Sequence, residues 1–189
     1  MTAVVLNLEQ VNLTDEQFYN LCQVNQNWNL ERTAKGDLVI MPPVGGESGQ
    51  READLITELN LWNRQSKLGV VFSSSTIFSL PNGGDRSPDA AWIKSDRWNR
   101  LTDQQKKGFP PICPDFVIEL RSQSDALKPL QAKMQEYLDS GLQLGWLIDP
   151  QHNQVEIFRS SRDSETMQLP TQLSGEKTLP GFILNLAEF

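Results

Sequence analysis

The sequence predicts an α/β fold in which helices flank a mixed β-sheet. Two segments repeat apolar residues at helical spacing, an earlier one carries a helix capping box, and short strand-like runs lie between and after them. The runs near the middle of the chain are apolar but carry acidic residues. With 189 residues, the chain is long enough for one domain, or one domain with a small appendage, around a real hydrophobic core.

The first predicted elements are a helix and a hairpin. Thr14 and Gln17 have the spacing of a capping box, so a helix is expected to begin at Thr14 and to continue through Asn25. Residues 28–43 then predict two short strands around a Lys-Gly-Asp turn, and two prolines end the second strand.

A second helix is predicted from about Ser48 to Lys67, because its leucines, isoleucine and tryptophan fall on one face. Three strands are predicted after it, over residues 70–80, 88–93 and 114–120. The polar segment between the last two strands is expected to hold a short helix or an exposed loop.

The C-terminal third predicts one more helix and a strand pair. The helix covers about Asp125 to Ser140, and the glycine after it is a natural C-terminal stop. Residues 144–150 and 154–159 predict paired strands around a Pro-Gln-His-Asn turn, and the apolar tail, residues 178–189, is expected to pack on the body.

Charge and composition exclude several classes of protein. The 17 basic and 24 acidic residues give a net charge of −7, which disfavours a sequence-independent DNA coat but not a nuclease with a local basic patch. No run approaches the roughly 18 apolar residues of a membrane span, and no signal peptide is recognisable. Cys22 and Cys113 predict reduced thiols in a cytoplasmic protein, and with His152 the sole histidine a zinc site is not expected.

Two acids in predicted strands are the first candidate functional residues. Asp89 follows Pro88 at the start of one strand, and Glu119 lies inside the apolar run PDFVIEL. A buried, unpaired carboxylate is costly, so Glu119 must be paired, bound to a metal or hydrated. By the two-residue period of a strand it shares a face with Arg121, and a simple Glu119–Arg121 ion pair is the structural alternative.

Lys133 is the third candidate. It lies between Leu130 and Tyr137 on the apolar stripe of the third helix, where a lysine must extend to solvent or find an acid. Glu119 is the obvious partner, either in a structural ion pair or in an active site. Two carboxylates and a lysine are the minimum set for metal-assisted phosphodiester hydrolysis, with Mg²⁺ on the carboxylates and the lysine orienting water or stabilising charge.

These segments resemble the Uma-type restriction endonuclease family of the PD-(D/E)XK nuclease superfamily. The resemblance extends from about Gly36 to Phe189 and is carried by SPDAAWI, PDFVIELRSQSD, LQAKMQEYLDSGLQLGWLIDP, QVEIFR and LPGFILNLAEF. It implies a restriction-endonuclease-like core, Mg²⁺ with Mn²⁺ as a possible substitute, DNA as partner and a homodimer. Residues 36–189 would form the nuclease-like domain, and residues 1–35 would add a helix and a first strand that pack on it.

The resemblance assigns the motif acids to Asp89 and Glu119. Arg121 takes the place where many nucleases have lysine, and because arginine keeps its proton it cannot act as a base. Lys133 matches the family's lysine on the following helix, which leaves Arg121 as a partner of phosphate or of Glu119. Glu52, on the inward face of the second helix, is either an additional ligand or an acid favoured by the helix dipole.

The sequence therefore predicts a Mg²⁺-dependent endonuclease acting on DNA. The alternative is a catalytically inactive nucleic-acid-binding or regulatory protein that keeps the nuclease fold, and hydrolysis of another phosphodiester is a third hypothesis. Neither a membrane nor a zinc partner is expected.

Overall fold

The computed structural model describes residues 3–160, 162–169 and 172–187. Within these ranges the helices are α1 (Asp15–Val24), α2 (Gly46–Ser66), α3 (Ser95–Trp98), α4 (Asp103–Lys107) and α5 (Leu127–Asp139). The strands are β1 (Val4–Leu6), β2 (Asn29–Arg32), β3 (Leu38–Met41), β4 (Gly69–Ser73), β5 (Phe78–Ser79), β6 (Asp85–Arg86), β7 (Ala90–Lys94), β8 (Phe116–Leu120), β9 (Leu144–Asp149), β10 (Gln154–Arg159), β11 (Arg162–Gln168), β12 (Gln172–Ser174) and β13 (Ile183–Asn185).

A six-stranded sheet in the order β11-β10-β9-β8-β7-β4 forms the centre of the fold. Its strands are antiparallel except for β8 and β9, which are parallel and joined through α5. Side chains alternate between its faces, so Phe116 and Ile118 pack with α2 and the C-terminal segment, whereas Val117 packs with α5. Glu119 has the parity of Val117 and therefore faces α5.

A second sheet, in the order β1-β3-β2-β6-β5, contains the N-terminal strands. Helix α1 closes one side of it through a small core of Phe18, Leu30 and Leu38. Arg32 joins β2 to β6 and to α1, because its guanidinium contacts Asp85 at 2.6 Å and Asp15 at 2.5 Å. These contacts fix the strand that also carries Glu31.

Several predicted elements are confirmed. The capping box of α1 is formed, with Gln17 N donating to Thr14 Oγ1 at 3.2 Å and Thr14 N donating to Gln17 Oε1 at 2.9 Å. The β2–β3 hairpin pairs around the predicted turn. Both cysteines are free, and burial above all raises the pKa of Cys22 to about 11 and that of Cys113 to about 12.

Two predictions about elements need correction. The strand predicted over residues 70–80 is two strands in different sheets, because a turn closed by Thr76 N donating to Ser73 O separates β4 from β5. Polar residues 95–113 hold two short helices, α3 and α4, rather than one helix or a loop.

The division into residues 1–35 and 36–189 stays a prediction. It falls in the turn between β2 and β3, whose ladder continues across it, and residues 1–2 and 188–189 lie outside the described residues. The tail packs as predicted where it is described, since Phe182 and Leu184 join the main core. No helix in the described part of the chain is long and apolar enough to cross a membrane.

Candidate active site

Glu119 lies on β8 with 3% of its surface exposed. Since it faces α5, its Oε1 accepts a hydrogen bond from the Tyr137 hydroxyl at 3.1 Å and lies 2.8 Å from Lys133 Nζ. Burial raises the pKa of Glu119, and the charge of Glu31 adds to the rise, while Lys133 opposes it. The predicted alternative, an ion pair with Arg121, is therefore wrong.

Lys133 brings the two sheets together. Its Nζ lies 2.8 Å from Glu119 Oε1 on the six-stranded sheet and 2.8 Å from Glu31 Oε1 on the five-stranded sheet. It also donates to the carbonyl of Ser87 at 3.2 Å. Burial alone would lower the pKa of Lys133, but the charges of Glu119 and Glu31 raise it above its ordinary value. The ammonium group therefore stays protonated.

Asp89 directly precedes β7, whose antiparallel pairing with β8 sets Ala90 opposite Ile118. This register lets Leu120 N donate to Asp89 Oδ2 at 2.6 Å. Burial first, and then the charge of Glu119, raise the pKa of Asp89 well above its ordinary value, although Lys133 and the Leu120 amide act in the opposite direction. Asp89 and Glu119 thus oppose each other's ionisation.

The three predicted residues line one cavity of about 430 Å³ between the β1–β3 strands, α5 and the end of β8. Asp89 Oδ1 and Glu119 Oε2 accept no hydrogen bond from any described side chain or amide. Two hard oxygen donors with free lone pairs fit Mg²⁺, which keeps several waters as ligands. In the described ranges there is no group of three or more His, Cys, Asp or Glu side chains that could hold a metal, so a metal at this site would need water or phosphate for its other ligands.

Glu31, which the sequence reasoning missed, is the second partner of Lys133. It is 2% exposed on β2, and its Oε1 also accepts a hydrogen bond from Ser87 N at 2.9 Å. Its Oε2 lies 3.0 Å from Arg86 NH1. Burial alone would raise the pKa of Glu31, but Lys133, Arg86 and these hydrogen bonds outweigh it and lower the pKa. The sequence carried the same signal for Glu31 as for Glu119, namely an acid inside a short strand. The strand of Glu31, however, belongs to a hairpin that lies far from Glu119 and Lys133 in sequence.

Arg86 extends this ion-pair network outwards. Its guanidinium pairs with Glu136 of α5, with Nε donating to Glu136 Oε2 at 2.8 Å. Asn82 Nδ2 donates to the other oxygen of Glu136 at 3.1 Å. Charges thus alternate from Glu119 through Lys133, Glu31 and Arg86 to Glu136.

The two additional candidates lie outside this network. Glu52 accepts a hydrogen bond from the Ser74 hydroxyl and does not line the cavity, although its charge contributes, after burial and Glu119, to the raised pKa of Asp89. Arg121 lies past the end of β8, where strand alternation no longer applies. Its NH1 lies 2.8 Å from the buried carboxylate of Asp149, which also contacts His152.

Comparison with known proteins supplies a family and a fold. The sequence model of the Uma2 family, described as "Putative restriction endonuclease", matches residues 15–187. No curated protein matches the sequence. Among solved structures, one titled a "putative nuclease belonging to DUF820" from Anabaena variabilis superimposes with a TM-score of 0.72 at 18% identity. The match covers 84% of this chain and 88% of that one, which confirms the restriction-endonuclease-like fold.

Proposed function

The chain belongs to the Uma2 family, and on that premise we propose that it is a Mg²⁺-dependent endonuclease that hydrolyses DNA phosphodiester bonds. Family membership supports a nuclease function in general. The observation that carries the specific proposal is the convergence of Asp89, Glu119 and Lys133 in one cavity. Mn²⁺ is expected to replace Mg²⁺, since both accept carboxylate and water ligands.

Asp89 Oδ1 and Glu119 Oε2 are the atoms that would hold the metal. When bound, the ion would neutralise charge on the phosphodiester and lower the pKa of a water molecule. A bound cation would offset part of the repulsion between Asp89 and Glu119. Because their pKa values are raised, protons compete with the metal for these carboxylates, so metal affinity should increase with pH.

Lys133 acts as a charged hydrogen-bond donor and not as a base. Its raised pKa keeps the ammonium group protonated, and Glu119 and Glu31 hold it from both sides. Its three N–H groups already face Glu119, Glu31 and the Ser87 carbonyl, so it would act through its charge, which can stabilise the negative charge that develops on the phosphoryl oxygens. The bond that breaks is a phosphorus–oxygen ester bond, and the water oxygen becomes part of the released 5′- or 3′-phosphate.

Nicking of supercoiled plasmid DNA in Mg²⁺ or Mn²⁺ tests the proposal. Lys133→Met, Asp89→Asn and Glu119→Gln should each lower the nicking rate by about 100- to 1,000-fold, because each removes either a metal ligand or the charge that stabilises the reacting phosphate. Glu58→Gln, which changes an exposed acid of α2 that makes no ion pair within the described ranges, is the matched control and should retain wild-type activity. Equal rates for Lys133→Met and wild type would exclude the assigned role of Lys133.

A calorimetric Mn²⁺ titration separates metal binding from cutting. Wild type should bind the metal, and Asp89→Asn should not. If wild type binds Mn²⁺ through Asp89 and binds DNA but never cuts it, the inactive nucleic-acid-binding alternative replaces the nuclease. The homodimer implied by the family resemblance stays a prediction, and light scattering of the purified protein tests it.

A further inference from the structure

Two cavities of different chemical character adjoin at the candidate active site. The cavity that holds the acids measures about 430 Å³, and a second one of about 760 Å³ lies beside it. Pro43, Val44, Ser122 and Ser124 line both, so the two form one continuous groove.

Aliphatic side chains form one part of the lining of the first cavity, beside the polar and charged side chains of the candidate site. Val39 and Met41 approach from β3, Val5 from β1 and Leu130 from α5. Glu119 and Lys133 are 3% and 8% exposed, so a phosphodiester reaches them only by entering this cavity with its neighbouring nucleoside. The volume lies in the range of small-ligand pockets, about 300–1,000 Å³, which suits one nucleoside with an apolar base face.

Polar groups line the second cavity. They include Arg51, Arg121, Gln123 and Gln151. Arg51 makes no ion pair with any residue in the described ranges, even though Glu47, the one acid in this lining, lies a helical turn before it. An arginine with neutral hydrogen-bond donors around it fits a phosphate of a nucleic-acid backbone.

We propose that the groove takes an unpaired nucleic-acid strand, with its backbone against Arg51 and the nucleoside beside the scissile phosphate inside the aliphatic cavity. The inference rests on the proposed function and specifies its substrate. In a duplex the nucleotide would have to leave its stack and its pair, which costs a few kcal/mol, whereas an unpaired strand enters without that cost.

Fluorescence anisotropy with labelled DNA tests the inference on the full-length Glu119→Gln protein, in which cutting is suppressed. A single strand should bind at least about tenfold more tightly than a blunt duplex of the same length, which is the minimum expected from the cost of extrusion. A duplex with one unpaired nucleotide should regain most of that affinity.

Arg51→Ala supplies the second arm, on the same Glu119→Gln background. It should weaken single-strand binding by about five- to tenfold and reduce the slope of log K against log salt by about 0.7, the value for one phosphate contact on a single strand. Arg64→Ala is the matched control, because Arg64 is exposed near the other end of α2. Glu47→Gln should strengthen binding.

Failure of the inference is distinguishable from failure of the proposed function. Duplex binding equal to single-strand binding, or equal effects of Arg51→Ala and Arg64→Ala, would overturn the inference while wild-type plasmid nicking continues. Absence of binding to either form of DNA would overturn it too, and absence of both binding and nicking would also overturn the nuclease assignment.

Discussion

Buried carboxylates on two sides of the same cavity have pKa values that are shifted in opposite directions. On the five-stranded sheet, Glu31 receives the Lys133 ammonium, the Ser87 amide and the Arg86 guanidinium, and its pKa is lowered. On the six-stranded sheet, Asp89 accepts one hydrogen bond, from Leu120 N, and its pKa is raised well above the ordinary value. Burial acts on both side chains, so their neighbours decide the direction: two cations and the Ser87 amide lie beside Glu31, whereas the charge of Glu119 acts on Asp89.

Glu119 shows both kinds of environment in one side chain. Its Oε1 contacts Lys133 and Tyr137, whereas its Oε2 has no hydrogen bond within the described ranges. The side with Glu31 and Glu119 Oε1, which is rich in donors, therefore fixes Lys133. On the side with Asp89 and Glu119 Oε2, which is poor in donors, a bound cation would stabilise the carboxylates most. Repulsion between Asp89 and Glu119 should therefore lower the free energy of unfolding in the absence of a bound cation.

The largest expected change in stability comes from Glu31→Gln. Removal of this charge leaves Arg86 and Lys133 short of a buried partner, and breaking a buried ion pair in this way costs about 3–5 kcal/mol. The free energy of unfolding from urea titrations at neutral pH is the measurement. Glu58→Gln is the exposed control, and a loss below about 0.5 kcal/mol, the usual range of surface substitutions, would show that the network does not support the fold.

The difference in free energy of unfolding between wild type and Glu31→Gln should depend on pH. Because the folded pKa of Glu31 lies below the ordinary value of 4.5, its contribution is complete above that value and disappears as the pH falls through the folded pKa. Wild type and Glu31→Gln should therefore converge in acid. A constant difference down to the lowest accessible pH would contradict the lowered pKa.

Asp89→Asn is expected to raise stability, whereas Glu31→Gln lowers it. The folded state favours protonated Asp89, so stability falls as pH rises from the ordinary pKa of 3.8 through the raised folded value. The neutral amide avoids this loss and still accepts the hydrogen bond from Leu120 N. At neutral pH without metal, Tm should rise by about 2–4 °C, the shift that 1 kcal/mol causes in a chain of this size.

A bound metal should make wild type more stable than Asp89→Asn. Saturating Mn²⁺ stabilises only the protein that binds it, so wild type should gain Tm with metal concentration while Asp89→Asn does not. A drop in Tm for metal-free Asp89→Asn at neutral pH would mean that Asp89 is a satisfied structural acid like Glu31, and the contrast between the two sides would disappear.

Local rules predicted one side of this cavity from the sequence. The strand period placed Glu119 on one face of β8, and the helical stripe placed Lys133 on the inward face of the next helix. Since a helix after a strand packs back on the same sheet, their meeting followed from neighbouring elements. The same period failed for Arg121 because β8 ends one residue earlier, at Leu120.

The other side could not be predicted in this way. Glu31 reaches Lys133 from a different sheet, and the two residues are 102 positions apart in sequence (133 minus 31). That contact depends on how the hairpin docks on α5, through Arg86 and Glu136, and no local period encodes it. The break between β4 and β5 was missed for a similar reason, since β5 belongs to the five-stranded sheet through β6, which pairs with the distant strand β2.

The smallest expected effect comes from Glu136→Gln, at the outer end of the network. Its side chain is 14% exposed, and the amide oxygen can still accept from Arg86, so the loss should be about 1 kcal/mol. Arg86 joins Glu31 and Glu136, and residues in one ion-pair network couple by about 0.5–3 kcal/mol. The double variant Glu31→Gln/Glu136→Gln, measured by urea titration beside the two single variants, should therefore cost less or more than their sum by that amount. Additive losses would mean that Arg86 does not couple Glu31 to Glu136. Glu31 would then fix Lys133 through its own contacts alone, and no residue beyond β2 would help to hold the lysine.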